Sequence, residues 1–101
     1  FFCGLYKVKD IESNSPSIEW VYSFDFNDKY DCAIPVVNGD FWIQAVGSKS
    51  AVVSLDVSDP EKPKKAHELK FKKGEWPHWI ALEPSGNRLV VTGNNRLKTP
   101  L

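Results

Sequence analysis

An all-β protein of short antiparallel strands is what this sequence predicts, and three observations carry the expectation. Short runs rich in Val, Ile, Phe, Tyr and Trp recur along the chain, the residue types that fit a pleated, half-buried surface. Clusters of Gly, Asn, Asp, Ser and Pro separate them, which are the types that turns require. Segments also repeat: Asp59 follows Asp10 by 49 residues (59 minus 10) in matching surroundings, and Gly86 follows Gly39 by 47 (86 minus 39). Periods of this size, with four strands each, mark propeller arrays, so the expected architecture is antiparallel four-stranded blades of a β-propeller, about two blades in all. A free-standing eight-stranded sandwich or meander is the alternative that the same turn spacing permits.

Taken in order, residues 1–10 end in Tyr6-Lys7-Val8-Lys9-Asp10, which parallels Leu55-Asp56-Val57-Ser58-Asp59 and reads as a third strand. Residues 13–17 form the loop after it. Residues 18–26 alternate Ile18, Trp20, Tyr22, Phe24 and Phe26 against Glu19, Ser23 and Asp25, the pattern of an outer strand. Residues 31–37 are the first strand of a complete unit, and Asn38-Gly39-Asp40 turns the chain into a second strand at 41–46. Gly47 to Ser50 turns it again into a third strand at 51–57. Pro60 and Pro63 end ladder pairing because proline lacks an N–H, and residues 66–71 then alternate as a fourth, half-solvated strand. The first three of these strands read as covered on both faces. Residues 79–82, a turn at 83–87 and residues 88–93 repeat the first hairpin. The expected division is thus 1–26 as the end of one blade, 31–71 as a complete blade and 78–101 as the start of the next.

Charge narrows the function classes. Thirteen basic and thirteen acidic residues cancel, so no electrostatic footprint for nucleic acid is present. Lys62, Lys64, Lys65, Lys70, Lys72 and Lys73 read as a solvated rim. No apolar run approaches the roughly 20 residues of a membrane-spanning helix, and a soluble chain is expected. Cys3 and Cys32 lack metal-ligand spacing; two buried thiols are expected, with a cross-strand disulfide as the other reading. The chain has no Met and starts within an apolar segment, so a piece of a longer protein is expected, with any targeting segment upstream. Open strand edges at both ends should make it associate when isolated.

Asp31 and His78 stand 47 residues apart (78 minus 31), the hairpin period, which places both at the mouth of a propeller channel on adjacent blades. A carboxylate and an imidazole converging there could hold a divalent metal or share a proton, with Tyr30, Trp76 and Trp79 as an apolar wall. The plainer reading has Asp31 capping a turn, His78 bonded to backbone, and Trp76 and Trp79 filling the space between blades. His67 reads as packing or surface, and Asp56 and Asp59 as turn formers. Residues 47–50 and 94–96 would share the rim with His78. No phosphate loop and no nucleophile elbow are present.

The stretch Trp76-Pro77-His78-Trp79-Ile80-Ala81-Leu82-Glu83-Pro84-Ser85-Gly86-Asn87-Arg88-Leu89-Val90-Val91-Thr92 resembles the inner hairpin of tyrosine-valine-threonine-asparagine type propeller repeats. Leu55-Asp56-Val57-Ser58-Asp59-Pro60-Glu61-Lys62-Pro63 adds a second cue. Together they resemble the selenium-binding protein and methanethiol oxidase family over residues 51–93. The resemblance implies a seven-bladed ring with a central channel. A small molecule or protein partner is expected at the channel mouth, where Asp31, Trp76 and His78 are the candidates. For the methanethiol oxidases it also implies a site for a transition metal such as copper, to which only His78 carries over. The alternative function it implies is a metal-dependent oxidoreductase. The family's reactive cysteine segment and its other histidine motifs have no counterpart here.

Overall fold

The computed structural model describes residues 3–25 and 33–95. Eight described strands form three antiparallel sheets, so the chain is all-β. The first sheet pairs β1 (Cys3–Lys9) with β2 (Ser17–Asp25). The second holds β3 (Val36–Asn38), β4 (Phe41–Val46), β5 (Ala51–Asp56) and β6 (Lys64–Lys70) in chain order, and the third pairs β7 (Glu75–Leu82) with β8 (Leu89–Asn95).

Local chemistry sets the connections. A two-residue turn joins β3 to β4, with Gly39 in the left-handed region at φ 59°. A short 3-10 turn (Gly47–Lys49) joins β4 to β5 and closes on Ser50, whose φ is 51° and whose N–H donates to the Gly47 carbonyl. After β5, the Asp56 carboxylate accepts the Ser58 N–H at 2.9 Å and the Asp59 carboxylate accepts the Glu61 N–H at 3.0 Å. Both aspartates thus hold the turn, as side chains that replace a backbone acceptor do.

The core lies on both faces of the second sheet, because side chains alternate along a strand. One cluster joins Val46, Ala51, Val53 and Leu55 to Cys3 and Phe24 of the first sheet. The other joins Ala45 and Val52 to Ile80, with Ile43, Leu89 and Val91 packed around them. The three sheets are therefore stacked face to face, with the four-stranded one in the middle.

The repeats occupy equivalent places in this stack. Ser13 donates its N–H to the Asp10 carbonyl at 2.9 Å, and Lys62, 49 residues on (62 minus 13), donates to the Asp59 carbonyl at 3.0 Å. Trp42 of β4 and Leu89 of β8 stand 47 apart (89 minus 42), and each packs against the sheet that precedes its own. Cys3 of β1 and Val52 of β5 stand 49 apart (52 minus 3), and each packs against the sheet that follows.

Several expectations are corrected. The strand expected at 31–37 is only Val36–Asn38 among the described residues, and it is not covered on both faces: Val37 is 57% exposed. Coverage belongs to β4 and β5. The strand β6 is exposed almost throughout, Leu69 included, because β7 packs over β3, β4 and β5 and, among the described residues, its sheet brings no further strand to cover β6. The expected loop at 94–96 is still strand as far as Asn95, and Arg96 lies outside the described residues. Cys3 is buried and disulfide-bonded rather than a free thiol. Cys32, the chain's other cysteine, lies outside the described residues.

Candidate functional site

The candidate site is the first half of β7. Residues 72–75 turn the chain out of the second sheet, with the Glu75 N–H donating to the Lys72 carbonyl at 2.9 Å. The strand then carries Glu75, Trp76, Pro77, His78 and Trp79 past β8. Pro77 cannot donate to the ladder, and a proline inside a strand is accommodated at bulges. Pairing runs Pro77 with Gly93 and Trp79 with Thr92, so His78 is the extra residue of a bulge and has no opposing partner in the ladder. A Cβ on Gly93 would lie 2.4 Å from the Trp76 carbonyl oxygen and 3.0 Å from the Pro77 Cα, so only glycine lets β8 approach the bulge this closely.

Strand pairing therefore begins at Glu75, four residues before the 79–82 strand read from the sequence (79 minus 75). Its physical reason is the bulge: it absorbs Pro77 and His78 without ending the ladder. His78 consequently lies within the strand, three residues after its start (78 minus 75).

The bulge separates the two candidates on this strand. Trp76 is half-buried and lines a cleft of about 110 Å³ with Phe71, Glu75, Pro77, Val91 and Gly93. His78 is exposed and lies outside that cleft, its ring stacked on Trp79 at 6.4 Å between centroids and 30° between planes. Trp79 is itself 48% exposed, so the pair presents an aromatic surface to solvent beside the cleft. Asp31 and Tyr30 lie outside the described residues. Among the described residues no three His, Cys, Asp or Glu side chains converge as metal ligands would. His67 is exposed on β6, opposite Ser54.

Phe71, Val91 and Gly93 were not legible as walls of this cleft. The usable signal was the repeat: Gly93 stands 47 residues after Val46 (93 minus 46), a fully buried position, and its change to glycine marks where the second copy of the hairpin departs from the first.

A second, almost wholly apolar hollow of about 150 Å³ opens between the first two sheets, walled by Leu5, Val21, Trp42, Val57, Pro60 and Pro63. Ion pairs rim it. Lys7 pairs with Glu61 of the loop before β6 and with Glu19 at 3.4 Å. The bond to Glu61 raises the Lys7 ammonium above its ordinary pKa against the opposing effect of burial, and the same bond lowers that of Glu61. On β6, Lys49 bonds Glu68 at 3.2 Å and holds its carboxyl below the usual range.

Compared with protein-family models, curated proteins and solved structures, the chain matches none.

Proposed function

We propose that the chain is a segment of a β-propeller of the selenium-binding protein-like type, and that it binds a small molecule or protein partner at the Trp76 cleft and the adjoining His78–Trp79 surface. The architectural part is supported by the face-to-face stack in which residues 47 or 49 apart face equivalent neighbours. The observation that carries the binding part is the bulge. It turns one tryptophan into a cleft and leaves a stacked imidazole and indole exposed beside it, at the cost of a proline and a mispaired residue within a ladder. Bulges recur where a side chain is re-aimed for function, and large aromatic rings supply contact area at small entropic cost.

The test is titration of the protein with small aromatic and cationic molecules, the classes that indole faces hold by stacking and cation–π attraction, followed by tryptophan fluorescence and calorimetry. Saturable binding that weakens about tenfold or more in Trp76→Ala, consistent with loss of about 1.4 kcal/mol, and persists in His67→Ala is the expected result. Absence of binding across the panel, or binding indifferent to Trp76 and Trp79, would remove this reading. Elemental analysis separates the metal-dependent oxidoreductase: a stoichiometric copper that vanishes in His78→Ala would replace the binding reading with that one.

A further inference from the structure

We infer that the Trp76 cleft selects small organic cations, methylated ammonium groups above all; this rests on the reading of the cleft as a binding site. Its walls come from residues 71–93, a continuous described stretch. Phe71 donates its N–H to the Ser50 carbonyl at 2.7 Å, which ties that wall to the second sheet, and both Phe71 and Val91 pack against the cluster of Ala45, Val52 and Ile80. The cleft is therefore formed by the chain's own second and third sheets.

The chemistry of the wall is complementary to a cation. Phe71 and Trp76 supply aromatic rings, whose electron-rich faces attract a cation within about 6 Å of the ring centroid. Glu75 supplies a carboxylate, half-buried like both rings, where a charge is screened less than in open water. Among the described residues that line the cleft, no Lys, Arg or His opposes it. A carboxylate has about four lone-pair sites, so Glu75 can serve a protein donor and a ligand together. Lys72 and Lys73 precede it in the turn, but both are exposed and neither lines the cleft.

Two other hollows lack this combination. The apolar one between the first two sheets has Lys7 in its wall, and one at the turn after β5 has Lys62 and Lys64 beside Asp56 and Asp59. Each carries a fixed cation where the Trp76 cleft carries none. Size narrows the class further. An apolar cavity of about 150 Å³ takes benzene, so a cleft of about 110 Å³ takes a head somewhat smaller than a six-membered ring. A trimethylammonium group meets that limit. Its methyl groups also spread the charge, so it gives up water for an aromatic wall more readily than the compact, strongly hydrated ammonium of a lysine does.

Choline and its uncharged isostere 3,3-dimethylbutan-1-ol, titrated into the wild-type protein by calorimetry and tryptophan fluorescence, test it. The two share a shape and differ in charge, so a difference in affinity reports charge. The expected result is saturable choline binding about tenfold or more tighter than that of the isostere. Glu75→Gln and Phe71→Leu, which nearly keep the volume of the wall, should each weaken choline binding by about threefold or more and leave the isostere almost unaffected. Equal affinity for choline and the isostere overturns the inference, and so does selectivity indifferent to both substitutions, since the charge is then read elsewhere. Binding of indole that depends on Trp76, with none of choline, overturns it while the cleft remains a binding site of another class. Absence of binding by choline, isostere and indole alike overturns it together with the reading it rests on. The comparison of choline with its isostere needs no variant, so it decides the matter whatever the substitutions do to folding.

Discussion

At the residue scale, Gly93 is the position on which the candidate site depends most directly. Adding one methyl group there sets a Cβ against the Trp76 carbonyl oxygen, a backbone atom that moves only with its strand. Gly93→Ala should destabilise the protein by about 1–3 kcal/mol, the usual cost of overpacking, and should shift the Trp76 emission spectrum even where the protein still folds. Urea denaturation followed by fluorescence reads both. The Lys7–Glu61 pair makes a separate prediction. The folded carboxyl of Glu61 is held below its ordinary 4.5, so its contribution is present above that value and is lost as pH falls through the lowered folded value. The folded ammonium of Lys7 is raised above 10.5, so its contribution is complete below that value and is lost as pH rises through the raised one. The Tm difference between the wild type and Glu61→Gln should therefore be flat between about pH 5 and pH 10 and shrink on either side. Of these residue-level features, the turn roles of Asp56 and Asp59 were legible, because an Asx side chain acts on its own neighbours in sequence. Lys7 with Glu61 was not, since nothing local brings residues on different sheets together.

At the element scale, strand identity was legible and strand ends were not. The runs at 41–46 and 51–57 are bounded by Gly-containing or Asp-containing turns, and β4 and β5 occupy them as read, save one residue at the end of β5. The start of β7 was missed because Pro77 reads as a breaker, and the bulge that accommodates it depends on the glycine opposite. The repeated hairpin turns also touch: the Asn38 side-chain amide donates to the Gly86 carbonyl at 3.2 Å. Gly86 holds φ 78°, a conformation that a side chain strains. Gly86→Ala should cost about 1 kcal/mol and weaken the β7–β8 hairpin selectively, seen as faster amide exchange in β8 than in β5.

At the scale of the whole molecule, the all-β antiparallel class was legible from alternation and turn chemistry, while the Cys3 disulfide was not, because two unpatterned cysteines do not announce a bridge. The covering of the middle sheet on both faces makes its buried strand the most sensitive place in the chain. Leu55 is fully buried, and Leu55→Ala should lose about 2–5 kcal/mol by chemical denaturation, whereas Leu69→Ala on the exposed outer strand should stay within about 0.5 kcal/mol.

The two core clusters share no buried residue: Phe24 belongs to one and Ile80 to the other, on opposite faces of the same sheet. Thermodynamically the two clusters are then a short chain of nearest neighbours among the described residues, in which the middle sheet is coupled to each outer one by a separate set of buried side chains. In a double-mutant cycle, Phe24→Leu and Ile80→Val should add to within about 0.5 kcal/mol, whereas Phe24→Leu and Val53→Ala, within one cluster, should depart from additivity by more than that. Loosening the first sheet would leave the ligand affinity of the Trp76 cleft on the third unchanged.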